Sequence, residues 1–279
     1  MSARLRNIAR ENERIVSEGG YLGPGRQWVD LGAAVAAAAD GTRLFGPDPV
    51  SAPAQAAGPG ARCTVTAEDS IGAARRLTAA DRAPVAVLNF ASARNPGGGY
   101  LNGAQAQEEA VCRSSALYTC LLRAPGYYDH HRTHRDAFYS DRVIHSPAVP
   151  VFRDGRDTLV DEPWTAGFLT SPAPNAGVIA RTQPERVAEI GPALDARAER
   201  VLEVAVAQGY RRLVLGAWGC GVFMNDPARV AAAFAALLRP GGRFASAVDE
   251  VVFAVLDRRP GSPVRAAFAA AFPGAASPA

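Results

Sequence analysis

The chain has 279 residues, 48% of them hydrophobic and 20% charged, so it can bury a core without disulfides or a structural metal. Its net charge is only +3, and its thirty basic residues, all arginine, are scattered, which excludes the basic stripe of a duplex-binding protein; no stable nucleic-acid partner is expected. No apolar run is long enough to span a membrane, and the opening MSARLRNIARENERIVSEGG lacks the apolar core of a secretory signal, so the expected compartment is the cytoplasm.

Leu5, Ile8, Ile15 and Val16 recur at helical spacing and predict a first helix over 3–18. GYLGPGRQWVDL reads as a turn and a short strand, and AAVAAAADGTRLF as a helix stopped by Gly41. The Pro-, Gly- and Ala-rich stretch 46–61 reads as a surface loop. From residue 62 strands alternate with helices. RCTVTA is a strand, Glu68-Asp69-Ser70 opens a helix reaching Ala80, and PVAVLNF (84–90) is a strand buried on both faces. A helix is expected from Ala106 to Arg123, then a loop rich in Tyr, His and Asp over 126–141. VIHSPAVPVF and AGFLTSPAPN read as strands, and the stretch from Pro184 to Tyr210 as a helix interrupted near Gly191-Pro192. RRLVLGAW and EVVFAVLD are strands, PARVAAAFAALL a helix with Pro227 in its first turn, and an alanine-rich helix ends the chain. This alternation predicts an α/β fold, a sheet covered by helices on both faces, with ligands bound beyond the carboxyl ends of the strands.

Two glycine loops leave such strand ends: VLNFASARNPGGG and LVLGAWGCGVF. Bare backbone there suits a phosphate-bearing ligand or simply two tight turns, and neither loop carries a nucleotide fingerprint of the GxxxxGK[ST] or GxGxxG kind. Glu108 and Glu109 open a helix, where acids favour the dipole. Adjacent helical residues point about 100° apart, so the pair does not supply two carboxyls facing each other across a bond. One acid transferring protons while its neighbour holds the substrate is the division expected. Cys63, Cys112, Cys120 and Cys220 form no CxxC pair, and His130 and His134 lack the HExxH glutamate, so neither a disulfide framework nor a metal site is expected. No cofactor is expected either.

Gly97-Gly98-Gly99 followed after seven residues by Gln107-Glu108-Glu109 resembles the signature of the poly(ADP-ribose) glycohydrolases, and of their short microbial type in particular. The likeness extends through IARENERIVSEGGY, VTAEDS, AQEEAVCRSSALY, FYSDRVIHSPAVPVFRD, SPAPN and LGAWGCGVFMNDP. It implies a macrodomain-like three-layer α/β/α sandwich with a mixed central sheet. Residues 1–60 would be an N-terminal helical extension packed on an ADP-ribose-binding catalytic core over 61–279, the two forming one compact monomer.

The resemblance also implies roles. Glu109 matches the catalytic acid that protonates the 2′-oxygen leaving group and then activates water, and Glu108 matches the residue holding ribose hydroxyls. Gly97, Gly98 and Gly99, with Gln107 in the same signature, border the terminal ribose. Gly219, Cys220, Gly221 and Val222 match the diphosphate loop, and Phe223 an aromatic packed on the terminal ribose. Asn89 either shapes the ribose pocket or closes a turn. Glu68 stands where such folds recognise adenine, or belongs with Asp69 to a helix N-terminal acid pair. The implied substrate is poly(ADP-ribose) or ADP-ribosylated protein, and the product ADP-ribose. An ADP-ribose reader, or a hydrolase of another ADP-ribose linkage, is the alternative.

Overall fold

The computed structural model describes residues 2–51 and 60–273. Helix α1 (Ala3–Glu18) starts at Ser2, whose side chain accepts from the Leu5 N–H, and stops at Gly19, whose φ of 78° lets its N–H turn back to the Ile15 and Val16 carbonyls. A hairpin of β1 (Gly20–Leu22) and β2 (Trp28–Asp30) follows, so GYLGPGRQWVDL makes two strands rather than one. Helix α2 (Gly32–Gly41) ends where expected, but the residues after it form β3 (Arg43–Phe45), an edge strand of the main sheet. Residues 52–59 of the loop expected over 46–61 lie outside the described residues.

The core continues with β4 (Arg62–Thr66), α3 (Ser70–Ala80) and β5 (Val85–Phe90). The single helix expected over 106–123 is two: α4 (Gln107–Ser114) and α5 (Leu117–Leu121). Between them Ser115 leaves the helix to form a bridge with Val151, which no local pattern announces. The loop expected over 126–141 contains a third helix, α6 (Pro125–Thr133), with proline in its first turn and Tyr127, Tyr128 and His131 on its buried side. Strands β6 (Val143–Arg153) and β7 (Leu159–Ser171) are longer than expected, and β6 absorbs Pro147 in a bulge between Ser146 and Val149. Helix α7 (Ala176–Thr182) leads into a 3₁₀ segment (Pro184–Glu189), and α8 (Ile190–Ala207) begins there, just ahead of the expected interruption. β8 (Arg212–Gly216), α9 (Pro227–Leu238), β9 (Glu250–Ala254) and α10 (Pro263–Ala271) complete the chain.

Seven strands form one mixed sheet in the order β3-β6-β7-β5-β8-β9-β4. The pairs from β7 through β4 are parallel, and β6 runs antiparallel to both β7 and β3. Alternation along the central strands separates two apolar layers. Val87, Phe168, Val214 and Val252 meet α1–α6 on one face, while Ala86, Leu88, Leu213 and Phe253 meet α8–α10 on the other. This is the α/β/α sandwich implied by the resemblance.

A buried polar network docks α1 on the core. The Asn12 amide donates to the Arg113 carbonyl at 2.6 Å and accepts from Arg153 Nε at 2.7 Å. Further along, the Ser2 N–H donates to the Gly103 carbonyl at 3.0 Å, and the Tyr100 hydroxyl reaches the Ala9 carbonyl and Glu13. The first sixty residues therefore touch the loop that follows β5.

Candidate active site

β5 delivers the chain at Phe90 to a tight loop that runs through Gly97–Gly99 and a 3₁₀ turn (Tyr100–Asn102) before α4 begins. Turn hydrogen bonds from Gly98 N–H to the Asn95 carbonyl and from Tyr100 N–H to the Gly97 carbonyl, both 3.0 Å, fix its path. Gly97 and Gly98 take φ of 64° and 57°, a region costly for any residue with a Cβ. At Gly98 space is also decisive. A Cβ there would stand 2.6 Å from Glu109 Oε1 and 3.0 Å from Glu108 Oε2.

The two carboxyl groups thus converge on one bare backbone position. Their oxygens lie no further apart than those two distances laid end to end. Although neighbouring helical residues diverge, the Glu108 and Glu109 side chains fold onto a common spot in the first turn of α4. Both are buried, at 3% and 7% exposure.

Each carboxyl is held differently. Glu108 accepts from Asn89 Nδ2 at 3.2 Å and from the Ser92 N–H at 2.7 Å, so both of its oxygens are engaged. Burial, with the Glu109 charge adding, pushes the Glu108 carboxyl up to about 8 despite those donors. Glu109 accepts from the Gly99 N–H at 2.8 Å through Oε1, while its buried Oε2 has no partner among the described residues. Asn89, at the end of β5, also donates to Thr170 Oγ1 at 3.2 Å, tying Glu108 to β7.

Gln107 is fully committed. Its carbonyl accepts from the Phe90 N–H at 2.9 Å, and its amide donates to Ser70 at 3.1 Å and to the Leu88 carbonyl at 2.9 Å. It joins α4 to β5 and α3, and so fixes the register that presents the glutamates.

The second loop leaves β8. Gly219, at φ 71°, has its α-carbon against Ala173 and Asn225, where a Cβ would come within 2.5 Å of either. Asn225 is buried and its amide donates to the Pro174 carbonyl at 2.8 Å and to the Gly219 carbonyl at 3.2 Å, closing the loop from within. Trp218 anchors it to β7 through Nε1–H to the Ser171 carbonyl at 3.0 Å. Cys220 is half-buried, and burial pushes its thiol up to about 12, so it is a weak nucleophile. Gly221 borders open space, Val222 is 81% exposed, and the half-buried Phe223 ring lies 5.8 Å from that of Tyr139.

A cavity of about 850 Å³ lies beside α3, α4 and the second loop, with Asp69, Ile71, Phe90, Gln107, Cys220 and Gly221 in its wall. Glu108 and Glu109 follow Gln107 directly and stand off this wall. Glu68 is elsewhere: Arg76 binds it through two hydrogen bonds of 2.9 and 2.7 Å and holds its carboxyl below the usual range. Asp69, which caps α3 by accepting from the Gly72 N–H at 2.7 Å, is the acid of that pair that borders the cavity. The structure therefore brings together Asn89, the glycine triplet, Gln107, Glu108 and Glu109 at one strand end, with the 219–223 loop across the cavity, and leaves Glu68 outside. Ser92, Thr170 and Tyr139 escaped the sequence reading. Ser92 and Tyr139 had a signal, since they lie inside the VLNFASARNPGGG loop and the FYSDRVIHSPAVPVFRD stretch.

Comparison with known proteins identifies the family. A family model described as microbial-type PARG, catalytic domain, matches residues 9–154. The chain is similar to the crystal structure of poly(ADP-ribose) glycohydrolase from Thermomonospora curvata, at 49% identity and TM-score 0.91, covering 97% of this chain and 100% of that one. The same protein bound to the inhibitor ADP-HPD gives 48% identity, TM-score 0.90 and the same coverage. The Deinococcus radiodurans poly(ADP-ribose) glycohydrolase in complex with ADP-ribose gives 44% identity and TM-score 0.80, covering 89% of this chain and 100% of that one. No curated protein sequence matches the chain.

Proposed function

This chain belongs to the family of microbial-type poly(ADP-ribose) glycohydrolases, and from that premise we propose that it hydrolyses the ribose–ribose O-glycosidic bonds of poly(ADP-ribose), releasing ADP-ribose. The observation that carries the assignment of roles is the convergence of Glu108 and Glu109 over Gly98, with one oxygen of Glu109 buried and unengaged.

The terminal ADP-ribose unit occupies the cavity. Backbone of the Gly219–Val222 loop, where Gly221 leaves open space, holds its diphosphate, and Phe223 packs on the terminal ribose. Gly98 lets that ribose approach both carboxyls. Glu108, held by Asn89 and Ser92 and favoured in its protonated form by burial, fixes ribose hydroxyls. Glu109, oriented by the Gly99 N–H, presents its free oxygen to the scissile bond. It gives its proton to the 2′-oxygen as the bond to the anomeric carbon breaks through an oxocarbenium-like state. The resulting carboxylate takes a proton from the water that attacks that carbon, which restores the acid. Diphosphate binding at a distance from the reacting carbon supplies the orientation.

The test is ADP-ribose release from purified polymer by wild type and Glu109→Gln. The variant should bind ADP-ribose as wild type does and lose turnover by several orders of magnitude. Full turnover by the variant would refute the role of Glu109, and tight ADP-ribose binding by a wild type that releases nothing would favour the reader.

A further inference from the structure

Beside the loop that holds Glu108, and outside the cavity wall, stands a group of basic side chains without an acidic partner among the described residues. Arg94 lies in the loop between Ser92, whose N–H donates to Glu108, and Asn95, whose carbonyl accepts from Gly98. Its exposed guanidinium makes one hydrogen bond, of 3.3 Å to the His131 carbonyl, and lies 6.0 Å from the centre of the Tyr139 ring, the ring that also faces Phe223. Arg142 directly precedes β6, whose first residues pair with the end of β7 beside Thr170, so it stands at the same end of the sheet as Asn89 and Glu108. His130 and His134 stack at 4.2 Å at the end of α6, and burial, with the charge of Arg142 adding, disfavours a charge on His130. Arg135 is exposed next to them.

The acids of this region are already used. Asp129 pairs with Arg132, Asp136 with Arg186 and Asp141 with Arg197. Arg94, Arg135 and Arg142 have no carboxylate partner among the described residues. None of these cations borders the 850 Å³ cavity. Guanidinium groups gathered without carboxylate partners are an electrostatic footprint for a polyanion.

We infer that this rim, centred on Arg94 and Arg142, is the binding site for the leaving part of the substrate, the diphosphate-bearing polymer beyond the scissile bond. The inference rests on the glycohydrolase reading, which places the terminal unit in the cavity and the cut at Glu109. The remainder of the chain then departs away from the cavity, carrying a diphosphate in every unit. Arg94 and Arg142 take those phosphates, and Tyr139 offers a face to a base. The rim thereby distinguishes a polymer from a lone ADP-ribosyl group, which ends where the rim begins.

The experiment separates this rim from the cavity by measuring binding in the Glu109→Gln protein, where nothing is cut. Long poly(ADP-ribose) and ADP-ribose are titrated against it with and without Arg94→Gln and Arg142→Gln together, across a range of salt. The double change should weaken polymer binding at least tenfold, leave ADP-ribose binding within twofold, and lower the slope of log affinity against log salt by about 1.4, or roughly 0.7 for each cation lost from a single strand. Arg94→Lys with Arg142→Lys should restore most of the slope. Unchanged polymer affinity and slope would overturn the proposal, and so would a parallel loss of ADP-ribose binding, which would mean that the arginines serve the cavity or the fold. Wild type that fails to release ADP-ribose would defeat the glycohydrolase reading instead, because the binding measurement needs no turnover.

Discussion

Replacing Gly98 by alanine adds one methyl group, and the structure sets what it costs. The position has φ of 57°, where a side chain costs about 1–2 kcal/mol. The new Cβ would stand 2.6 Å from Glu109 Oε1, and ordinary contact begins at 3.4 Å, so the carboxyl must retreat by the difference. The Gly99 N–H bond of 2.8 Å to that oxygen cannot survive the move intact, and a hydrogen bond of this kind contributes roughly 0.5–1.5 kcal/mol. Together these give about 1.5–3.5 kcal/mol, or a Tm lower by roughly 5–10 °C for a chain of this size. A displacement of this order at a reacting group costs about 100-fold in turnover. Thermal melting and ADP-ribose release from polymer check the two figures independently. An alanine variant that melts with wild type and works within a few-fold of it would show that bare backbone at 98 is not what positions the pair.

Other consequences are equally direct. Burial raises the Glu108 carboxyl from 4.5 to about 8, so between those pH values the folded chain keeps a proton that the unfolded chain releases, and stability falls as the pH climbs through the window. Glu108→Gln cannot ionise; its Tm should lose less between pH 5 and 9 than that of wild type, and parallel curves would count against the burial argument. Asn12→Ala removes two buried hydrogen bonds of 2.6 and 2.7 Å, which should cost about 2–3 kcal/mol in denaturant melts, and an unchanged midpoint would show that the network does not hold α1. Phe223→Ala should reduce kcat more than ADP-ribose affinity, since it misplaces a ribose without removing the diphosphate anchor; the reverse order would assign the ring to binding. Glu68→Gln should change ADP-ribose affinity less than twofold, because Arg76 already engages that carboxyl, and a large loss by calorimetry would return Glu68 to the cavity.

Where residue type and local spacing decide the structure, the sequence was readable. Val85–Leu88 and Leu213–Leu215 are apolar runs that only a sheet covered on both sides can hide, and both are central strands. The glycine triplet and the QEE tripeptide announced a site through their resemblance to the family signature, since either alone also suits a tight turn or a helix start. What escaped depends on distant partners. β3 is three residues long and exists through pairing with Val143–His145, a hundred positions away. The helix break at Ser115 answers to Val151. α6 is built from Tyr, His and Arg, a composition typical of loops, and only burial of Tyr127, Tyr128 and His131 reveals its inner face. The burial that makes His131 structural also lowers its imidazole to about 4, with Nδ1–H donating to the Tyr127 carbonyl and Nε2 accepting from Ser140. The rotation that brings Glu108 and Glu109 onto Gly98 lies in side-chain torsions, which spacing along a helix does not encode.

The contacts between α1 and the loop after β5 have a kinetic consequence. The Ser2 N–H bond to Gly103, the Tyr100 hydroxyl against Ala9 and Glu13, and the Asn12 link to Arg113 join the first helix to the turn between Gly99 and Glu109 and to the end of α4. If α1 lifts away, the Gly99 amide loses the support that keeps it on the glutamate. Amide hydrogens along α1 and that of Gly99 should therefore exchange with solvent through one shared opening event, slower than the fraying of α10 at the other end of the described chain.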